Sequence, residues 1–209
     1  MSIRAIVFDF DGTLVDSNAV KRDVFFDMFV HRGLSRDRIG QAVDKGALVS
    51  RVEIVRDLLP ALETPNFPIE DMVKNEVEKY TLLAERAVAE APEIFGATQL
   101  LRELAGKFPL YLSSLTPQEP LKLEIERRGW NPFFRGLSGY PNNKAVFLGN
   151  VMKELQLAPA ELLSVGDGES DRLAAEETGV VYYFLRQPGD LAGIGAFLNE
   201  PFVLWGKNL

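Results

Sequence analysis

Apolar and polar positions follow two different rhythms along this chain. Residues 3–8 read IRAIVF, a short β-branched run with almost no polar break, as expected of a strand covered on both faces. PLYLSS at 109–114, LLSVGD at 162–167 and VVYYFL at 180–185 share that pattern, and FVLW at 202–205 is a weaker example. Between them, residues 97–107, 118–128, 143–156 and 170–178 carry apolar side chains at helical spacing. Strands alternating with helices of this length predict a doubly wound, Rossmann-like α/β domain with a parallel sheet and helices on both faces.

The rhythm changes between residues 16 and 91. No strand pattern occurs there, and helical spacing covers 19–32, 39–47, 50–59 and 69–90, with Pro60, Pro65 and Pro68 marking a loop. The pattern predicts a helical subdomain at 16–91, inserted after the first strand of an α/β core made of 1–15 and 92–209. A length of 209 residues suits a core domain with one insertion.

Composition narrows the chemistry. With no cysteine, disulfides, thiolate zinc sites and thiol nucleophiles are excluded. The single histidine, His31, stands in FFDMFVHRGLS, where it reads as a polar residue near a helix C-terminus. A net charge of −7 argues against nucleic acid as the main partner. A small phosphorylated ligand remains compatible if local cations or a metal ion meet it. The apolar runs are too short for a membrane span, and MSIRAIVFDF has no apolar signal region with a cleavage site, so the expected location is the cytoplasm and no membrane partner is expected.

Ligands of open parallel sheets bind outside the carboxyl ends of the strands, so the residues after each predicted strand are informative. The first is followed by Asp9, Asp11, Gly12 and Thr13, and the second ends in Ser113, Ser114 and Thr116. GDGESD, containing Asp167 and Asp171, follows the strand at 162–165, and Lys144 opens the preceding helix. Each cluster alone has a simpler explanation: a turn, a helix cap or a solvated lysine. Together, in this order, they fit one crevice.

These residue types share a chemistry. Asp9, Asp11 and Asp167, with Asp171, offer hard oxygen ligands of the kind that suits Mg²⁺. The Ser114 hydroxyl and the backbone N–H groups at Ser114 and Leu115 can donate to phosphate oxygens, and Lys144 adds a positive charge. An aspartate can attack phosphorus, and a second carboxyl two residues on can protonate the leaving oxygen and then deprotonate water.

DFDGTLVDS at 9–17, Ser114, Lys144 and VGDGESD at 165–171 resemble the haloacid dehalogenase superfamily, in order and across the whole chain. Residues 16–91 resemble the helical cap such enzymes insert after the first motif, as in phosphoglycolate phosphatase and β-phosphoglucomutase. The resemblance implies Asp9 as nucleophile and Asp11 as general acid/base. It implies Mg²⁺ held by Asp9, the Asp11 carbonyl and Asp167, and a phosphoryl group held by Ser114 and Lys144. Asp171 would support the metal site or Lys144, and Thr13 would fix the loop. An acid at position 11 points to phosphate esters rather than carbon–halogen or phosphonate bonds. SSLTP stands where relatives often have Ser/Thr-Asn, which leaves Ser113 beside Ser114 as the hydroxyl, and NNKA lacks a proline that often follows the lysine. KGALVSRVEIV at 45–55 resembles the specificity segment of β-phosphoglucomutase and nominates Arg51, with Lys45, for substrate selection.

The expected activity is a Mg²⁺-dependent phosphatase acting on a small phosphorylated metabolite through an aspartyl-phosphate. The alternatives are a sugar phosphomutase, in which the phosphoryl group returns to sugar, and a non-catalytic binding protein that keeps the fold.

Overall fold

The computed structural model describes residues 2–46, 51–62 and 68–199. Five strands form one parallel sheet: β1 (Ala5–Phe8), β2 (Leu110–Pro117), β3 (Phe134–Tyr140), β4 (Leu162–Gly166) and β5 (Val181–Phe184), in the order β3-β2-β1-β4-β5. β1 is central, and all four of its residues are buried, which accounts for its unbroken apolar run. Ala5, Val7 and Tyr111 pack with Leu148 and Val151 of α7 (Lys144–Leu155) and with Ala174 and Ala175 of α8 (Glu169–Thr178).

The predicted strands at 3–8, 109–114, 162–167 and 180–185 correspond to β1, β2, β4 and β5. β3 was not predicted. Its sequence, FRGLSGY, interrupts the apolar pattern with an arginine, a serine and two glycines, as an edge strand with exposed positions allows. Gly139 is required by packing, because a Cβ there would lie 2.6 Å from Gln118 Cα and 2.7 Å from the Thr116 carbonyl oxygen. The weaker candidate at 202–205 lies outside the described residues.

The chain divides into two compact units, Met1–Val15 with Glu93–Leu209, and Asp16–Pro92. The second is helical: α1 (Asn18–Val30), α2 (Arg36–Gly46), α3 (Arg51–Leu58) and α4 (Ile69–Glu90). Its core contains Phe25, Phe29, Ile39, Val55, Leu58 and Tyr80, with the Phe25 and Tyr80 rings stacked 4.0 Å apart. His31 is the C-cap residue of α1, and Pro68 is the N-cap of α4. Pro65 lies outside the described residues.

In the first unit, α5 (Ala97–Ala105) and α6 (Gln118–Arg127) precede and follow β2. The Asn143 side chain caps α7 by accepting from the Val146 N–H at 3.1 Å, which fixes where Lys144 enters the helix. A short terminal helix, α9, spans Ile194–Asn199. Among the described residues, no helix is long and apolar enough to cross a membrane.

Candidate functional site

Strand register brings the polar clusters together. Phe8 pairs with Leu112 on one side and Val165 on the other, so Asp9, Ser113-Ser114 and Gly166-Asp167 leave the sheet at the same edge. The Asp9 N–H donates to the Val165 carbonyl at 2.8 Å, extending the β1–β4 pairing up to the acidic residue. Beyond it the chain turns, with Gly12 at φ +74° and its N–H donating to Val15 O at 2.8 Å. Thr13 is fully buried and donates from Oγ1 to Asp167 Oδ1 at 3.2 Å, tying the two acidic loops to each other.

Lys144 is the buried cation among these acids. Its Nζ lies 2.7 Å from Asp171 Oδ1 and 3.0 Å from Asp9 Oδ1. Burial works against its charge, but the two carboxylates outweigh that effect and hold its proton affinity above that of an ordinary lysine. The acids are displaced in the opposite sense for a carboxylate. Burial, reinforced by the Asp9 charge and opposed by Lys144, pushes the Asp171 carboxyl up to about 7. Asp9 is also raised, by burial first and then by Asp11, against the pull of Lys144. The directions agree once charge is counted. One ammonium serves two acids, so the lysine gains more than either carboxylate does.

Carboxylate oxygens of Asp9, Asp167 and Asp171 lie within 4.8 Å of one another. When all three are ionised, Lys144 leaves two negative charges unmatched. Asp171 Oδ2 is buried without a hydrogen-bond partner, and the buried Asp9 Oδ1 has the Lys144 ammonium beside it at 3.0 Å. A buried carboxylate oxygen without a partner, in an all-oxygen donor set with excess negative charge, fits a hard divalent cation such as Mg²⁺. The Asp11 carboxylate faces elsewhere: its Oδ2 accepts from Thr116 Oγ1 at 2.6 Å and lies 3.4 Å from Ser114 Oγ.

The loop carrying Asp167 is held by an aromatic side chain. Tyr182 Oη lies 3.1 Å from the Gly166 carbonyl oxygen and 3.3 Å from that of Gly168. Burial, with help from the neighbouring acids, keeps that phenol protonated well above the usual range. Gly166 is closely packed on Asp171, and an added Cβ would lie 2.7 Å from the Asp171 Cβ.

Thus Asp9, Asp11, Thr13, Ser114, Lys144, Asp167 and Asp171 gather at one edge of the sheet, with Leu115 beside Ser114 on β2. Between the two serines, Ser114 is the one whose hydroxyl meets Asp11, while Ser113 stands opposite Ser138 of β3 in the sheet. Arg51 opens α3 and makes its contacts within the helical unit, donating to Thr81 Oγ1 at 3.2 Å and lying over the Tyr80 ring at 5.5 Å. Lys45 is in the last turn of α2. Thr116 was grouped with the strand-end polar residues but given no role of its own, and Tyr182 was assigned no part from the sequence. For Thr116 the available signal was a hydroxyl between the second strand and a proline; for Tyr182, a polar-tipped ring in an otherwise apolar strand.

A parallel doubly wound sheet with a lysine and an acidic cluster at the carboxyl ends of its strands marks an α/β protein built around a charged site. The sequence model of haloacid dehalogenase-like hydrolases matches residues 3–179, and the chain belongs to that family. A phosphoglycolate phosphatase from Rhodobacter capsulatus is 30% identical over 190 residues, covering 85% of this chain and 82% of its own. A haloacid dehalogenase-like hydrolase from Streptococcus pneumoniae superposes with a TM-score of 0.64 at 24% identity, covering 91% of this chain and 90% of that one. The magnesium-bound structure of YfnB from Bacillus subtilis superposes with a TM-score of 0.65 at 20% identity, over 96% of this chain and all of its own, 100%. The chain is therefore a hydrolase, and relatives matching it over most of their length are phosphatases.

Proposed function

We propose that this hydrolase is a Mg²⁺-dependent phosphatase that cleaves a small phosphate monoester through an aspartyl-phosphate on Asp9. The observation that carries the reading is Lys144 Nζ, 3.0 Å from Asp9 Oδ1 inside a cluster that keeps an excess of negative charge. An isolated nucleophilic carboxylate would repel a phosphate dianion, and a buried ammonium beside it offsets that repulsion.

Asp9 attacks phosphorus, the ester P–O bond breaks, and the Asp11 carboxyl gives its proton to the departing oxygen. Water then attacks the phosphorus and gives a proton to Asp11. The Asp9–phosphorus bond breaks, and inorganic phosphate leaves. Lys144 and the Ser114 hydroxyl, with the N–H of Leu115, hold the phosphoryl oxygens through both steps. Thr13 and Asp171 keep Asp167 and Lys144 in position. Asp9, Asp167 and the Asp11 carbonyl would hold Mg²⁺, which when bound would supply further neutralisation of phosphate charge. Residues 16–92 act as a helical cap, and Arg51 belongs to the part of it that selects substrate.

The phosphoglycolate phosphatase relatives make 2-phosphoglycolate the first substrate to test, within a panel of phosphorylated metabolites. The decisive experiment measures phosphate release from p-nitrophenyl phosphate and from that panel, with Mg²⁺ and with chelator, for wild type and Asp9→Asn. Turnover is expected only for wild type with Mg²⁺. Equal rates in the two proteins would rule out Asp9 as nucleophile.

A further inference from the structure

We infer that Thr116 is a positioning residue for the leaving-group proton transfer, holding the Asp11 carboxyl in place through its side-chain hydroxyl. The inference rests on the acid role of Asp11 proposed above. Its basis is a single residue that grips two site groups at once. Thr116 Oγ1 donates to Asp11 Oδ2 at 2.6 Å, and the Thr116 N–H donates to Ser114 Oγ at 3.0 Å. Ser114 itself is only 3.4 Å from the same Asp11 oxygen, so the threonine makes the shorter contact.

Three features hold Thr116 rigid enough for this task. It is 8% exposed, and its β-branched side chain has few rotamers. Pro117 follows it and restricts its backbone to extended conformations. Its carbonyl packs against Gly139 of β3, where even a methyl group would collide with it. The β2–β3 register shifts between Ser113 and Pro117, so this segment bends out of regular pairing where its hydroxyls are needed.

A hydroxyl also suits a partner that changes its protonation state. It donates to a carboxylate and accepts from a carboxylic acid by rotating its O–H, so Asp11 can keep one partner through both chemical steps. A lysine or a backbone N–H can only donate, so it would favour the ionised form over the acid. Orientation matters because a proton is transferred only at hydrogen-bond distance from the ester oxygen.

The test compares kcat/KM, which reports the steps up to leaving-group departure, for Thr116→Val and Thr116→Ser on two substrates. An alkyl phosphate from the active panel needs the proton; p-nitrophenyl phosphate, whose leaving group is a stable anion, needs it far less. Thr116→Val should lose about 10- to 100-fold on the alkyl ester, at or below the lower end of the roughly 100- to 10,000-fold a general acid contributes, and no more than about 3-fold on the aryl ester. Thr116→Ser should restore most of the loss. Thermal unfolding of both variants identifies any general loss of folding. Equal losses on the two esters, or no loss on either, overturn the inference. Asp11→Asn is the control for the underlying reading. If it loses equally on both esters, the acid role of Asp11 fails and takes the inference with it. If it loses unequally while Thr116→Val does not, only the inference fails.

Discussion

Lys144 and Asp171 form a buried ion pair at 2.7 Å, and the pair is not neutral in context because Asp9 shares the same ammonium. The cluster is thus short of positive charge in the metal-free protein, with consequences for stability as well as for catalysis.

The first is for Lys144 itself. Lys144→Met leaves two buried carboxylates without their cation, and should destabilise the metal-free protein at pH 8 by about 3 kcal/mol in chemical denaturation. The loss should shrink at pH 5.5, because Asp171, already raised with Lys144 present, then takes up a proton. A cost independent of pH would mean that Lys144 contributes packing rather than charge.

A second concerns the pH profile of the metal-free wild type. The folded Asp171 carboxyl titrates at about 7 against an ordinary value of 3.8, so the folded state binds the proton more tightly than the unfolded state does. Stability is therefore lost as pH rises from the ordinary value towards 7 and the loss is complete above it, so between pH 8 and pH 5 stability returns by on the order of 2 kcal/mol. Asp44, Asp57, Glu161 and Glu169 are shifted the other way, below ordinary carboxylate values, so their contributions are lost only at lower pH. Raised Lys144 contributes stability lost only above the ordinary lysine range. Denaturant midpoints in chelator from pH 5 to 8 check the profile, and a flat curve contradicts it.

Mg²⁺ should invert that slope. Protons and metal compete for the same carboxylates, so the rise in thermal midpoint on adding Mg²⁺ should be larger at pH 8 than at pH 5.5. At a concentration 100-fold above Kd the stabilisation is about 2.7 kcal/mol. Calorimetry with and without chelator measures both arms, and no midpoint shift at pH 8 would mean that the acidic cluster does not hold the ion.

Asp9→Asn separates stability from activity. It removes one buried negative charge while Lys144 keeps Asp171, so the metal-free variant should be more stable than wild type at pH 8, by about 1 kcal/mol. It should also lose most of the Mg²⁺-induced shift along with turnover. A variant that is less stable in chelator would show that Asp9 is a net stabilising partner of Lys144.

Phosphate balance distinguishes hydrolysis from internal transfer. Inorganic phosphate should appear in step with substrate loss for each ester turned over. Conversion of a sugar phosphate into an isomer with little free phosphate would instead identify a mutase.

Continuous apolar runs revealed β1, β2 and β4 because these strands are buried almost throughout, and β5 because its VYYF sequence is apolar although it is a half-exposed edge strand. The polar clusters drew attention to Asp9, Asp11, Lys144 and Asp167 because they recur in order beside successive strands. β3 was hidden because an edge strand needs neither continuity nor alternation, and Gly139 answers to a backbone neighbour that becomes adjacent only after folding. Thr116 stood among the strand-end polar residues, but its pairing with Asp11 was hidden for a related reason. A threonine before proline is an ordinary loop residue until the β1 loop is brought against it. Arg51 differs again: its type and spacing drew attention, but its contacts with Thr81 and Tyr80 join helices far apart in sequence and become visible only in the folded unit.

The sheet order has a consequence for how the molecule is made. β1 is the middle strand, yet Ile6 pairs with Leu110 and Leu163, both far later in the chain. A ribosome therefore delivers the sheet's centre long before either neighbour exists, and an apolar strand with two open edges must wait while the whole helical unit is synthesised. That unit is contiguous in sequence and can collapse on its own contacts in the interval. The charged edge, which needs all three strands, is among the last features a newborn chain can assemble, so a product that ends before β2 carries Asp9 and Asp11 without Ser114, Lys144 or Asp167.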